Sequence, residues 1–80
     1  MSQVKFALYG SVKGRVQGVF FRAEARLKAT QLGLSGWVRN RLEGDVEIHI
    51  QGTKEQMDAM GDWLQQGPPK AQVIEVNLSL

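Results

Sequence analysis

Two segments of the sequence have the spacing of amphipathic helices, and they limit the folds open to this chain more than any other feature. In the first segment, apolar residues recur at i, i+4, i+8 and i+11: Phe21, Ala25, Ala29 and Leu32. In the second segment, they recur at i, i+3 and i+7: Met57, Met60 and Leu64. Each predicted helix therefore has one apolar face, which must be buried against another element.

The ends of both predicted helices carry local signals. Thr53 followed by Gln56 forms a capping box that opens the second helix. Gly33 predicts the end of the first helix, and the Gly-Pro-Pro at residues 67–69 predicts the end of the second.

The remaining segments alternate between apolar and polar residues, which predicts β-strands. A long first strand is predicted with the apolar phase Val4, Phe6, Leu8, Val12 and Val16. A second strand is predicted at residues 36–40 and, after a turn at residues 41–44, a third at residues 46–50, antiparallel to the second. A last strand is predicted to begin within residues 71–76.

The predicted order of elements is β-α-β-β-α-β. Two helices that must both bury an apolar face against four strands indicate a ferredoxin-like α+β fold, an α/β sandwich with a four-stranded antiparallel sheet and both helices on one face. Eighty residues leave no room for a second domain, so we expect one domain over residues 1–80. A composition with 42% hydrophobic and 22% charged residues is typical of globular chains and argues against disorder.

Composition excludes several kinds of chemistry. The chain has no cysteine, which excludes disulfides, a thiolate metal site and a thiol nucleophile. His49 is the single histidine, and without a second histidine or a cysteine it is interpreted as a solvated strand residue. A thiolate or histidine metal site is therefore not expected, and no other cofactor is expected. The net charge of +2 suits a small anionic ligand but is too weak to indicate nucleic acid by itself.

The sequence shows no targeting or membrane segment. No apolar run approaches the roughly 18 residues of a membrane span, so no membrane partner is expected. The N-terminal residues lack an apolar stretch followed by a cleavage site, which predicts no signal peptide. Cytoplasmic location is the default expectation, because a chain without cysteine does not report its redox compartment.

Four further side chains with functional chemistry are given structural interpretations. Trp37 and Trp63 could line a pocket, but packing in the core or at its rim explains them better. Glu43 and Asp45 flank Gly44, and turn chemistry explains them better than a catalytic pair of carboxylates.

Residues 14–22 run from a predicted strand directly into a predicted helix, with glycines at positions 14 and 18. Backbone N–H groups in such a turn can converge on an anion, assisted by the helix N-terminus. The N–H groups concerned belong to Gln17, Gly18, Val19, Phe20 and Phe21. The segment matches neither the dinucleotide-binding pattern nor the P-loop pattern, and its glycine spacing alone leaves a plain structural turn equally open.

Arg22 favours the anion-binding interpretation. It lies in the first turn of the predicted helix, where a cation opposes the helix dipole at a cost of about 0.3–1 kcal/mol. Its neighbours one turn on are Ala25 and Arg26, so no helical ion pair offsets this cost. A bound anion would make the position favourable, and the planar guanidinium suits phosphoryl oxygens. The alternative is an ordinary solvated arginine on the surface.

The same residues resemble a known family. GRVQGVFFR at residues 14–22 resembles the acylphosphatase signature, glycine-x-Val-Gln-Gly-Val-x-Phe-Arg. A second family segment follows, GLSGWVRN at residues 33–40 and then GDVE at residues 44–47. The Gly-Pro at residues 67–68 and the Ala-x-Val after it are similar to the family's approach to its last strand. Family members usually continue to a short closing segment, whereas this sequence stops at Leu80, so it is either a shortened member or lacks part of the usual C-terminus.

The resemblance implies a metal-independent acylphosphatase, a hydrolase that splits the carboxyl–phosphate bond of an acyl phosphate into a carboxylate and inorganic phosphate. It implies that Arg22 grips the phosphoryl group and that Asn40 places the attacking water. The implied phosphate-binding loop comprises Arg15, Val16, Gln17, Gly18, Val19 and Phe20. The implied partner is a small acyl phosphate, or a phosphate or sulfate anion, and we expect a monomer. By its position alone, Asn40 is an ordinary turn residue at the end of a strand.

Two other functions are considered. Ferredoxin-like sheets can bind RNA, but that mode uses aromatic side chains on the central strands, and the third strand here has none. A non-enzymatic module that binds phosphate stays open as an alternative, but nucleic acid is not expected as its ligand. The chain could also be an acylphosphatase-like domain of a larger carbamoyl-transfer maturation protein, although no zinc-finger cysteines follow.

Overall fold

The computed structural model describes residues 5–79, which form four strands and two helices in the predicted order. The elements are β1 (Phe6–Arg15), α1 (Phe21–Gln31), β2 (Ser35–Asn40), β3 (Val46–Gly52), α2 (Lys54–Gln66) and β4 (Gln72–Ser79). Val4, which was predicted to begin the first strand, and the C-terminal Leu80 lie outside the described residues.

The four strands form one antiparallel sheet in the order β2-β3-β1-β4. Val46 of β3 lies opposite Val12 of β1 on one side and opposite Asn40 of β2 on the other. Since β1 and β2 are both antiparallel to β3, they run parallel to each other and end at the same edge of the sheet. The β1–α1 loop and the end of β2 therefore lie at the same end of the molecule.

Both helices pack on one face of the sheet, where their apolar stripes and one phase of the strands form a single core. The buried strand residues include Leu8, Val12, Val38, Val46, Ile48 and Ile50, and the buried helix residues are Phe21, Ala25, Ala29, Met57, Met60 and Leu64. The predicted ferredoxin-like fold is thus confirmed. Leu32 of the predicted stripe packs only partly buried against the core. Phe6 is 38% exposed, because it lies opposite Gly52, which has no side chain to cover it.

The helix ends follow their predicted signals. The Thr53 hydroxyl accepts a hydrogen bond from the Gln56 N–H, and the Gln56 side chain accepts one from the Thr53 N–H, which completes the capping box of α2. Gly33 follows α1, and its N–H donates to the Thr30 carbonyl at 3.0 Å. Within residues 5–79, neither helix is long and apolar enough to cross a membrane.

In the part of the chain that the structure describes, no helix lies on the opposite face of the sheet, which carries a row of three rings. We call it the helix-free face. His49 of β3 lies opposite Tyr9 of β1 and Trp37 of β2. Its ring packs edge-on against both, with centroids 6.1 Å from Tyr9 and 5.6 Å from Trp37. His49 is therefore half-buried, and the prediction of a plainly solvated residue is wrong in that respect. The alternating pattern identified its face, but it does not report what neighbouring strands pack there.

Candidate active site

The loop between β1 and α1 begins at an irregularity in the sheet. The pairing of β1 with β4 shifts register between Lys13 and Gly14, and Gly14 has a φ of 130°. A Cβ atom at Gly14 would lie 2.1 Å from the carbonyl oxygen of Gln72, so only glycine allows β4 to approach this closely. The chain leaves the sheet at this point and turns into α1 within a few residues.

Two residues of this loop have left-handed backbone conformations. Gly18 has a φ of 76°, and Phe20, which is not glycine, has a φ of 64°. A positive φ at a non-glycine residue costs of order 1–3 kcal/mol, and such residues cluster at ligand-binding sites. Phe20 is also 76% exposed, so burial of its ring does not compensate for this strain. The strain at Phe20 is therefore not offset by burial of its own side chain.

The N-terminus of α1 is uncapped. No side chain of residues 5–79 accepts a hydrogen bond there, and the first helical bond in this range runs from Glu24 N–H to Phe20 O at 2.9 Å. The N–H groups of the first turn, Phe21 to Ala23, are thus left without partners in the helix. By contrast, the capping box of α2 gives side-chain partners to the N–H groups of Thr53 and Gln56. The first turn of α1 therefore offers free donors in the field of a helix N-terminus.

Arg22 stands in this uncapped first turn, as predicted. Its side chain is exposed, and within residues 5–79 it makes no ion pair or hydrogen bond. The predicted place of Arg22 in the first turn of α1 is thus confirmed. Its predicted contact with a phosphoryl group stays a prediction.

Asn40 is the last residue of β2 and is exposed. It lies in the same strand phase as Val38, whose side chain is in the core, so it belongs to the helix-bearing face of the sheet. Because α1 packs against β2 and β2 ends at the edge where α1 begins, Arg22 and Asn40 lie at the same end of the molecule. Asn40 also lines an open cavity of about 380 Å³ together with Arg41 and Leu42.

The loop is tied directly to the end of β2. The side-chain amide of Gln17 donates hydrogen bonds to the carbonyl oxygens of Arg41, at 2.6 Å, and Asp45, at 2.9 Å. Gln17 was predicted to act through its backbone N–H, and its side-chain contacts were not predicted. Of the other loop residues, Arg15, Gly18 and Phe20 are exposed, Val19 packs partly buried against the core, and Val16 is fully within it. Val16 can therefore contribute to a ligand only through its backbone.

On the helix-free face, Glu47 connects the two arginines that flank Asn40. Its carboxylate accepts hydrogen bonds from the Tyr9 hydroxyl and from Arg39 Nε, and Arg41 Nη1 lies 3.8 Å away. The hydrogen bond from Tyr9 and then that from Arg39 hold the pKa of Glu47 below its ordinary value. The same hydrogen bond raises the pKa of Tyr9. Both arginines are thereby held beside the strand end that carries Asn40.

The turn residues Glu43 and Asp45 differ in burial. Glu43 is exposed and pairs with Arg41 Nε at 2.8 Å, as a turn residue is expected to do. Asp45 is 5% exposed, and its Oδ1 lies 3.1 Å from the same Arg41 nitrogen, without the alignment of a hydrogen bond. Asp45 is therefore more deeply buried than its turn position indicated. No group of three His, Cys, Asp or Glu side chains that could hold a metal is found in residues 5–79.

Trp63 packs as predicted and Trp37 does not. Trp63 of α2 lies against Phe21 at the core, with ring centroids 5.4 Å apart. Trp37 is 41% exposed on the helix-free face, away from the core, because its strand phase is opposite to that of Val38, and the Arg39 guanidinium lies 4.9 Å from its ring centroid.

Comparison with known proteins identifies the family of this chain. A family model described as Acylphosphatase matches residues 8–79. The chain belongs to the acylphosphatase family. An acylphosphatase from Thiobacillus denitrificans is 50% identical over 72 residues, which are 90% of this chain and 81% of that protein. One from Cupriavidus metallidurans is 50% identical over 66 residues, or 82% of this chain and 70% of that protein.

A solved acylphosphatase structure agrees with this assignment, and part of a larger protein has the same fold. The structure of an acylphosphatase from Coxiella burnetii superposes with a TM-score of 0.91 at 43% identity, covering 94% of this chain and 79% of that one. Full-length HypF, solved in a phosphate- and nucleotide-bound form, superposes with a TM-score of 0.90 at 25% identity, covering 99% of this chain but 10% of that one. The predicted family and its class, a hydrolase acting on acyl phosphates, are therefore confirmed.

Proposed function

We propose that this acylphosphatase hydrolyses acyl phosphates at the edge of the sheet where β1 and β2 end, with the phosphoryl group bound by the loop at residues 15–20 and by Arg22. One observation carries the proposal: among residues 5–79, no side chain caps the first turn of α1, and Arg22 in that turn makes no ion pair. A dianionic phosphoryl group would accept hydrogen bonds from the free N–H groups and offset the unfavourable position of Arg22.

The chemistry requires few groups because the leaving group is weakly basic. An acyl phosphate releases a carboxylate, whose conjugate acid has a pKa of about 4 by analogy with Asp and Glu. Such a leaving group needs no proton from a general acid. Catalysis can then rest on orientation and on neutralising charge at the equatorial phosphoryl oxygens. This accounts for an enzyme without cysteine and with a single histidine.

Charge neutralisation is assigned to the loop amides and Arg22. A single preorganised donor to a developing charge contributes about 2.7–4 kcal/mol in other enzymes. The left-handed residues Gly18 and Phe20 keep the loop in one shape before substrate arrives, so little reorganisation is needed at the moment of reaction. The Arg22 guanidinium supplies a planar pair of donors to two phosphoryl oxygens.

The attacking water is assigned to Asn40. Its amide is neutral and cannot act as a strong base, but it can hold a water by hydrogen bonds on the side of phosphorus opposite the leaving carboxylate. A phosphoryl oxygen of the substrate accepts the proton that the water loses. The exposed position of Asn40 at the strand end, on the helix-bearing face, supports this role.

Two substitutions separate these roles. Arg22→Ala should abolish both the binding of inorganic phosphate and the turnover of benzoyl or acetyl phosphate, because it removes the charged donor from both states. Asn40→Ala should bind phosphate normally and lower kcat by about 10²–10³-fold, as removal of one catalytic donor does elsewhere. Turnover is measured by release of inorganic phosphate in excess EDTA, and binding by calorimetry.

Arg26→Ala is the matched control, because Arg26 is exposed on the same helix one turn further on. It should leave both quantities unchanged. Near-normal turnover by Asn40→Ala would show that the water-placing role is wrong. Phosphate binding without turnover in the unaltered protein would identify a binding module instead, and dependence of turnover on a metal would contradict the mechanism.

A further inference from the structure

The side-chain amide of Gln17 donates hydrogen bonds to both ends of the turn between β2 and β3. Its Nε2 atom lies 2.6 Å from the Arg41 carbonyl oxygen and 2.9 Å from the Asp45 carbonyl oxygen. An amide nitrogen carries two hydrogens, so both are used. We call this arrangement, Gln17 with the two carbonyls, the Gln17 clasp.

The turn has its own hydrogen bonds besides the clasp. The Arg41 N–H donates to the Asp45 carbonyl at 2.9 Å, and the Gly44 N–H donates to the Arg41 carbonyl at 3.1 Å. Each carbonyl in the clasp therefore accepts one bond from the turn and one from Gln17. Arg41 Nε also lies 3.1 Å from the Asp45 carboxylate. The turn therefore has internal bonds of its own, and within residues 5–79 the side-chain hydrogen bonds that join it to the loop come from Gln17.

The clasp lies between the two groups that the proposed reaction must align. On one side, Gln17 belongs to the loop at residues 15–20. On the other, Arg41 directly follows Asn40, and Asp45 directly precedes Val46, the partner of Asn40 across β2 and β3. A displacement of the turn relative to the loop would therefore move Asn40 relative to the bound phosphoryl group.

We propose that the Gln17 side chain is a positioning residue that fixes the distance between the phosphate loop and the water held by Asn40. The inference rests on the proposed function and goes beyond it, since the loop was assigned to phosphate binding through its backbone. In-line attack is sensitive to such alignment, because a displacement of about 1 Å can cost 10²-fold in rate. Gln17 itself touches neither the water nor the phosphoryl group through its side chain.

Substitutions at position 17 separate the clasp from simple packing. Gln17→Glu keeps the shape but places a carboxylate against two carbonyl oxygens, so the clasp opens. Gln17→Leu keeps the bulk and removes both donors. Gln17→Lys restores N–H donors on a flexible chain long enough to reach both carbonyls. All three variants leave the loop backbone and Arg22 in place.

The expected result is a split between turnover and binding. In Gln17→Glu and Gln17→Leu, kcat for benzoyl phosphate should fall by about 10–100-fold, while the Kd for inorganic phosphate changes by less than about threefold, well under the tenfold that 1.4 kcal/mol represents. Gln17→Lys should recover most of kcat. Thr53→Ala is the control for stability, since it removes the cap of α2 without touching the loop or the turn. It should lower the melting temperature and leave kcat unchanged well below that temperature.

A second measurement keeps the inference independent of turnover. On addition of inorganic phosphate, NMR amide signals of residues 41–46 should shift in the unaltered protein and stay unshifted in Gln17→Glu, while those of the loop shift in both. If the turn signals did not respond in the unaltered protein, or responded equally in Gln17→Glu, the clasp would not couple the two groups. Undiminished kcat in Gln17→Glu would overturn the inference as well. Absence of turnover in the unaltered protein would instead overturn the proposed function, and the NMR result would still decide on the clasp.

Discussion

Glu47 is a carboxylate held on the helix-free face of the sheet by three side chains. Tyr9 and Arg39 donate hydrogen bonds to it, and Arg41 lies within ion-pair distance. These contacts stabilise its charged form, so the pKa of Glu47 lies below its ordinary value of 4.5. The group is 4% exposed, and protonation would leave both arginines facing a neutral acid.

The lowered pKa of Glu47 predicts how the stability of the fold changes at low pH. Because the pKa of Glu47 is lower in the folded than in the unfolded state, its contribution is complete above the ordinary carboxyl pKa and is lost as pH falls through the folded value. Glu47→Gln should therefore be less stable at about pH 7 and should lose less stability on acidification than the unaltered protein. Urea unfolding at a series of pH values measures both. Glu24→Gln, which removes an exposed carboxyl in α1, is the control, and an identical slope in the Glu47 variant would contradict the prediction.

Single residues also show which features of the site could be predicted from the sequence and which could not. Arg22 could be singled out because its unfavourable position relative to the helix dipole is visible in local sequence. The Gln17 clasp could not, since its partners lie 24 and 28 residues further along the chain and are backbone atoms. The burial of Asp45 and of Glu47 was not predicted for a similar reason. Alternation places a residue on one face of a sheet, but it does not report burial by long side chains from adjacent strands.

At the scale of elements, the two helices differ in how they begin. The capping box of α2 was readable from Thr53 and Gln56, and the structure confirms it. The first turn of α1 has no such signal, and its donors are left free beside a strained residue, Phe20. All six elements could be predicted, because the apolar period changes between 2 and 3.6 wherever a strand and a helix follow each other, a turn signal separates β2 from β3, and glycine or proline marks the helix ends. Local patterns therefore define the elements, whereas the uncapped helix start and the strained residue Phe20 both lie at the proposed site.

Gly61 in α2 offers a test of element stability away from that site. Glycine within a helix is about 0.5–1 kcal/mol less favourable than alanine. A Cβ atom at this position would lie 3.9 Å from Leu78 Cδ1, an ordinary contact without a clash. Gly61→Ala should therefore raise the free energy of unfolding by about 0.5–1 kcal/mol and leave turnover unchanged. Ala59→Gly in the same helix is the reverse control, and destabilisation by Gly61→Ala would show that α2 cannot accept the extra methyl group.

At the scale of the whole molecule, the proposed site is anchored in the core. Phe21, the first residue of α1, is 1% exposed and packs against Trp63 of α2. Gly67 at the end of α2 approaches the same ring so closely that a Cβ atom there would lie 2.5 Å from it. The uncapped turn therefore begins on a side chain that joins both helices. Its free donors cannot be relaxed by local rearrangement without disturbing this packing, so a bound anion should stabilise the entire fold.

This coupling predicts that inorganic phosphate raises the stability of the folded chain. A ligand that binds only the native state adds RT ln(1 + [L]/Kd), which is about 1.4 kcal/mol at tenfold excess over Kd. For a domain of this size, 1 kcal/mol corresponds to roughly 4–8 °C in melting temperature, so thermal unfolding followed by circular dichroism resolves the effect. The shift should disappear in Arg22→Ala and persist in Asn40→Ala and Arg26→Ala. A shift of equal size in Arg22→Ala would mean that phosphate stabilises the fold elsewhere, because the anion would then not be held at the start of α1.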